Sequence, residues 1–121
     1  MRAENLFFLT ALLTILVIRF SIYISRYFMP ERHLMIGKYI FHHFWFGFVF
    51  LLIAWLISSN LESLKLILFG AGLGIIADEL VFMLLGGGGF AYYWALPSVI
   101  GAILSLIALY LLRLKVVEFV Y

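Results

Sequence analysis

Two adjacent histidines, His42 and His43, stand in the apolar run "IFHHFWFGFVFLLIAWLI", and an adjacent acid pair, Asp78 and Glu79, stands in another, "GAGLGIIADELVFMLL". Arg19 interrupts a third. Ionisable side chains in hydrocarbon are costly, about 2.5–3.5 kcal/mol each at a helix centre on insertion scales, and by default they mark function. Imidazole and carboxylate are the nitrogen and oxygen ligands of zinc, iron and manganese, so His42, His43, Asp78 and Glu79 are candidate ligands of a divalent or transition metal. Without a metal, His43 can act as a general acid or base, with Asp78 orienting it and Glu79 beside it. Guanidinium matches phosphate and carboxylate groups. Arg19, Tyr23 and Arg26 recur at i, i+4, i+7 and share one helix face, which makes them a candidate holder for an anionic headgroup. Tyr93 and Trp94 would line the entrance. The molecule suited to such a site is a lipid-like or prenyl chain entering from the bilayer.

The elements that must position these residues follow from composition. The chain has 121 residues, 67% hydrophobic and 12% charged, against about 45–50% and 25% for a soluble domain. So short a chain cannot bury that much apolar side chain away from water. Bilayer lipid is the partner it requires. A helix spans the bilayer with about 20 apolar residues, and four stretches qualify: residues 6–27, 39–57, 64–85 and 97–114. The expected fold is a single all-α domain of four transmembrane helices. Pro97 suits a first helical turn. Residues 58–60 read as a turn, with Ser63 or Asn60 as the next cap and Glu62 at the positive end of the third helix. The first segment is too long for a signal-peptide core and lacks a small-residue cleavage site, so it reads as a mature helix.

Depth along each helix is the most informative quantity. At 1.5 Å rise per residue, His42 and His43 fall roughly 6–8 Å inside the second segment. Asp78 and Glu79 fall roughly 9–11 Å from the end of the third, and Arg19 roughly 12 Å from the end of the first. All lie nearer the face that carries residues 29–37 and the glycine-aromatic link at 86–94. Five ionisable residues on three segments therefore share one layer. Gly70, Gly74 and Asp78 are spaced by four, and small residues let membrane helices approach closely, so Asp78 is expected to face a neighbouring helix. Adjacent residues differ by about 100°, so one member of each pair faces the centre and the other flanks it. Gly47, four after His43, favours His43 as the inward histidine.

Three readings fit that layer. A membrane-embedded catalytic or metal site is the leading one. A structural ion-pair layer, with Arg19 neutralising Asp78 or Glu79, is the second. An oligomeric proton or ion transporter is the third, with Gly101, Ser105 and Ala108 as small residues for helix association. Polarity confined to one layer argues against a full transport path. No H-E-x-x-H motif or Glu-x-x-His pair supports a defined metal. His33, between Met29 and Met35, is an extra ligand candidate whose default is a solvated loop histidine. The glycine run at 86–89 lacks the Lys-Ser/Thr of a phosphate loop.

The remaining bounds concern partners and place. A net charge of +2 without a basic block argues against nucleic acid. Absence of cysteine excludes disulfides and thiolate sites. Scarcity of Asn and Gln is a thermophile-like trait. Membrane lipids are the expected partners, with a homo-oligomer open. The expected location is the cell membrane, multi-pass. Arg2, Lys65, Arg113 and Lys115 on the terminal side, against Arg26, Arg32 and Lys38 opposite, lean towards cytoplasmic termini.

"IFHHFWFG", then "GAGLGIIADEL", then "YYW" resembles small archaeal integral membrane proteins with a paired-His stretch, a Gly-rich helix ending in Asp-Glu, and Tyr-Trp. The similarity covers residues 40–94. It implies that His42, His43, Asp78, Glu79, Tyr93 and Trp94 work as a unit, and it brings no activity with it.

Overall fold

The computed structural model describes residues 1–28, the backbone of 35–36 and 39–40, and residues 42–86 and 93–121; the side chains of Arg26 and Tyr27 fall outside the described set. Among the described residues four helices carry the chain: α1 (Ala3–Phe28), α2 (Phe44–Leu56), α3 (Glu62–Leu84) and α4 (Leu96–Val120). A short antiparallel ribbon, β1 (Met35–Ile36) with β2 (Tyr39–Ile40), precedes α2. The expected all-α polytopic fold is present. Three helices, α1, α3 and α4, are long and apolar enough to cross a membrane.

The second helix departs from expectation. It has 13 residues, not the 19 of segment 39–57, and begins after the histidines. Its length is roughly 20 Å against a hydrocarbon core of about 30 Å. The aromatic and β-branched residues Tyr39 and Ile40 are taken by β2, which suits their preference for a pleated backbone. His42 and His43 thus stand at the mouth of α2, with His43 as its N-cap residue, rather than one turn inside it. A 3₁₀ turn, Ser59–Leu61, joins α2 to α3, and the Ser58 hydroxyl accepts the Asn60 N–H at 3.5 Å. The cap residue of α3 is Leu61, with no side-chain cap; neither Ser63 nor Asn60 fills that role. Beyond α3, Gly86 takes φ +98°, a left-handed conformation open to glycine, and turns the chain. Pro97 lies in the first turn of α4, as its fixed φ favours.

α3 is the hub. It packs against α1, α2 and α4, and α2 makes its substantial contacts with α3. Three glycines make this possible. A Cβ on Gly70 would stand 2.6 Å from the Phe7 carbonyl oxygen, and one on Gly74 would stand 2.8 Å from that of Ala11. Both pairs differ by 63 in sequence, so α1 and α3 run parallel in fixed register. Gly72 lies round the helix from this face, with its virtual Cβ 2.9 Å from the Gly47 carbonyl of α2. Backbones in near contact gain dispersion and need no side chain between them. On α1 the buried stripe is Phe7, Ala11, Ile15 and Arg19, each four apart. Its lower part is apolar: Phe7, Leu66 and Val120 form the core at the terminal end. Its last member is charged, and there the candidate site begins.

Candidate functional site

Asp78 lies two turns above Gly70 on the face packed against α1, so register places it level with Ile15. Helical side chains tilt towards the N-terminus. Arg19, one turn further on, reaches back, and its Nε donates to Asp78 Oδ1 at 2.6 Å. The rest of the guanidinium is also committed. One terminal nitrogen donates to the Tyr93 carbonyl at 3.1 Å, and the other to the Asp78 carbonyl at 3.2 Å and the Ser98 hydroxyl at 3.4 Å. Its central carbon stands 4.2 Å from the Tyr93 ring centre and 5.3 Å from that of Trp94. Arg19 therefore joins α1 to α3, to the link before α4 and to α4 itself.

The acid pair divides its tasks by direction. Asp78 Oδ2 accepts the Tyr93 hydroxyl and faces His43 Nε2 at 3.1 Å. Glu79, the next residue, turns to α2: its Oε2 accepts the Phe44 N–H at 2.8 Å. Its Oε1 lies 3.3 Å from His43 Nδ1 and 3.9 Å from His42 Nδ1. Asp78 is 1% exposed and Glu79 3%. Both are buried because α3 has neighbours on every side, so the expectation that one of each pair merely flanks does not hold for the acids. The Phe44 N–H is one of the orphan donors of a helix start, and Glu79 satisfies it from another helix. Burial and the neighbouring Asp78 carboxylate push the Tyr93 hydroxyl above its ordinary range, which keeps it a proton donor. Tyr93→Phe removes one donor from a buried carboxylate and is expected to lower stability by about 1–3 kcal/mol in detergent-based denaturation; an unchanged midpoint would mean that this hydroxyl contributes nothing.

Arg19, His42, His43, Asp78, Glu79 and Tyr93 are brought together. Trp94 and Tyr23 border the group, edge to face at 6.1 Å, and both are half exposed. The Arg26 side chain and His33 lie outside the described residues. Two partners were missed in the sequence. Ser98, in the first turn of α4, offered only the hint of its small polar side chain. The Phe44 amide leaves no sequence signal, since every helix start has free amides.

Two expected roles change with this geometry. Arg19 donates to protein acceptors, so little of it is left for an exogenous anion. The metal reading also fits poorly. Among the described residues no three His, Asp or Glu side chains are arranged to hold an ion. Both Asp78 oxygens are engaged, and the guanidinium 2.6 Å away would repel a cation.

The fold and site define an all-α polytopic membrane protein with a buried charge network between its helices. No family model matches the chain, and neither curated proteins nor solved structures give a match.

Proposed function

We propose that this membrane protein carries an acid–base site, in which His43 exchanges a proton with Glu79 and acts on a lipid-like or prenyl molecule from the bilayer. One observation carries the reading: each ring nitrogen of His43 faces a carboxylate, Asp78 at 3.1 Å and Glu79 at 3.3 Å. A neutral imidazole has one donor and one acceptor nitrogen. Two carboxylates can both be served only by an imidazolium, or by a neutral ring with one acid protonated. A single proton thus has two homes. Asp78 is already supplied by Arg19 and Tyr93, so it orients the ring. Among the described residues Glu79 holds one amide besides the imidazoles, so it is the exchanging acid. His43 keeps 23% of its side chain exposed, more than either carboxylate, and is the group a substrate could reach.

The test pairs a spectrum with a product. In liposomes the wild type is expected to show a protonated-carboxyl infrared band that rises and falls with pH, and Glu79→Gln and His43→Gln should each alter it. Lipid extracts of expressing cells should contain a species that disappears with His43→Gln. No titrating band and identical lipid extracts would defeat the reading.

A second reading has its own observation. Arg19 ties three other segments together through four hydrogen bonds. The network then serves as a clamp, and His43→Gln would change stability without changing lipid composition. Location in the cell membrane with cytoplasmic termini belongs to the same proposal. The native chain has no cysteine, so a single cysteine at Glu118 should react with a membrane-impermeant maleimide only after cells are opened. Labelling of intact cells would reverse the orientation.

A further inference from the structure

A second site lies at the other end of the bundle, away from the charge network. The start of α3 and the end of α4 border a half-open pocket of about 350 Å³, lined by Ser59, Glu62, Lys65, Val120 and Tyr121. Its base is apolar, since Val120 and Leu66 belong to the buried core there. Its rim is charged. Glu62 and Lys65 are three apart on one helix and so about 5–6 Å apart at Cβ. Among the described residues no ion pair joins them to each other or to any other group. Two opposite charges left unmatched beside one cavity suit a ligand that carries both charges at short separation. Phe69, one turn on from Lys65 and on the same face of α3, packs against the exposed Phe119 of α4 at 6.4 Å between ring centres and gives an apolar surface on this side.

We infer that this cavity binds the headgroup of a zwitterionic phospholipid. Lys65 takes the phosphate, and Glu62 takes the ammonium. The hydroxyls of Ser59 and Tyr121 donate to phosphate oxygens, and the acyl chains lie along Phe69 and Phe119. The location agrees: the cavity sits where α3 begins and α4 ends, which is the bilayer edge of two spanning helices. A cavity of this volume is at the small end of ligand sites and holds a headgroup rather than a whole lipid.

Native mass spectrometry of the full chain from detergent, with added phosphatidylethanolamine or phosphatidylglycerol, tests this. The wild type should retain one phosphatidylethanolamine in preference to phosphatidylglycerol. Lys65→Gln should weaken retention of both about tenfold, the equivalent of one charge-assisted hydrogen bond. Glu62→Gln should abolish the preference while phosphatidylglycerol still binds. Neither position is buried in the core, and an unchanged melting profile confirms that each variant is folded. Equal retention by wild type and variants would overturn the assignment. So would a wild-type preference for phosphatidylglycerol, or soluble glycerophosphoethanolamine binding as tightly as the lipid.

Discussion

Asp78→Asn is expected to lower the stability of the bundle by about 3–5 kcal/mol, because it leaves a buried guanidinium without its counter-charge. Arg19 is 9% exposed, and its carboxylate partner has no exposed side-chain surface. Water cannot replace the lost oxygen there. Arg19→Gln should be damaging for the converse reason, since Asp78 and Glu79 would then share one site without a fixed cation. The double substitution Arg19→Gln with Asp78→Asn removes both charges and should recover part of the loss. Contacting residues in one network show interaction energies of about 0.5–3 kcal/mol in such cycles. Denaturation of the four proteins in bicelles measures this. Strictly additive losses would mean that the two residues stabilise the bundle independently, and the pair would no longer explain how α1 is held.

Gly72→Val should have a comparable effect by a different route. The first added carbon would lie 2.9 Å from the Gly47 carbonyl oxygen and 2.9 Å from Leu51 Cδ2. A backbone carbonyl cannot swing aside, so α2 itself must move. Overpacking of this kind costs about 1–3 kcal/mol, and here little else holds the displaced helix, since its substantial contacts are with α3. The displacement also carries His43 and the Phe44 amide away from Asp78 and Glu79. Faster modification of His43 by diethylpyrocarbonate should therefore accompany the lower melting point. Leu104→Val is the control. Leu104 is 59% exposed on the lipid-facing side of α4, and its change should stay within about 0.5 kcal/mol. A Gly72→Val protein with wild-type stability and reactivity would refute the close-contact account of α2.

The polar layer was legible because depth is simple arithmetic on helical rise, and because Gly70, Gly74 and Asp78 repeat every fourth residue. That spacing pointed Asp78 at a neighbour, and the neighbour is α1. The start of α2 was not legible. Hydropathy cannot separate a strand from a helix inside one apolar run, and Ile40 and Phe44 are both strongly apolar on either side of the boundary. The place of Gly72 was also hidden. It interrupts the Gly70–Gly74 stripe and serves a different helix, which becomes visible only when α3 is known to be surrounded. The same fact explains why both acids are buried. Arg19 was read correctly as a layer residue, but its role as a donor to backbone carbonyls of Asp78 and Tyr93 depends on where a link and a helix end come to rest.

The pairing of Arg19 with Asp78 across 59 residues has a consequence for the order of synthesis. A ribosome adds about 5–20 residues each second, so the arginine enters the insertion machinery roughly 3–12 seconds before the aspartate that neutralises it. Over that interval α1 holds a charge that hydrocarbon disfavours. Its partner helix is the third to emerge, and α2, made in between, supplies no acid at all. The apolar residues of α1 offset that cost, so the first helix enters the bilayer with its arginine, and the charge is matched when α3 arrives. In this chain the charge of the first segment is neutralised by the third.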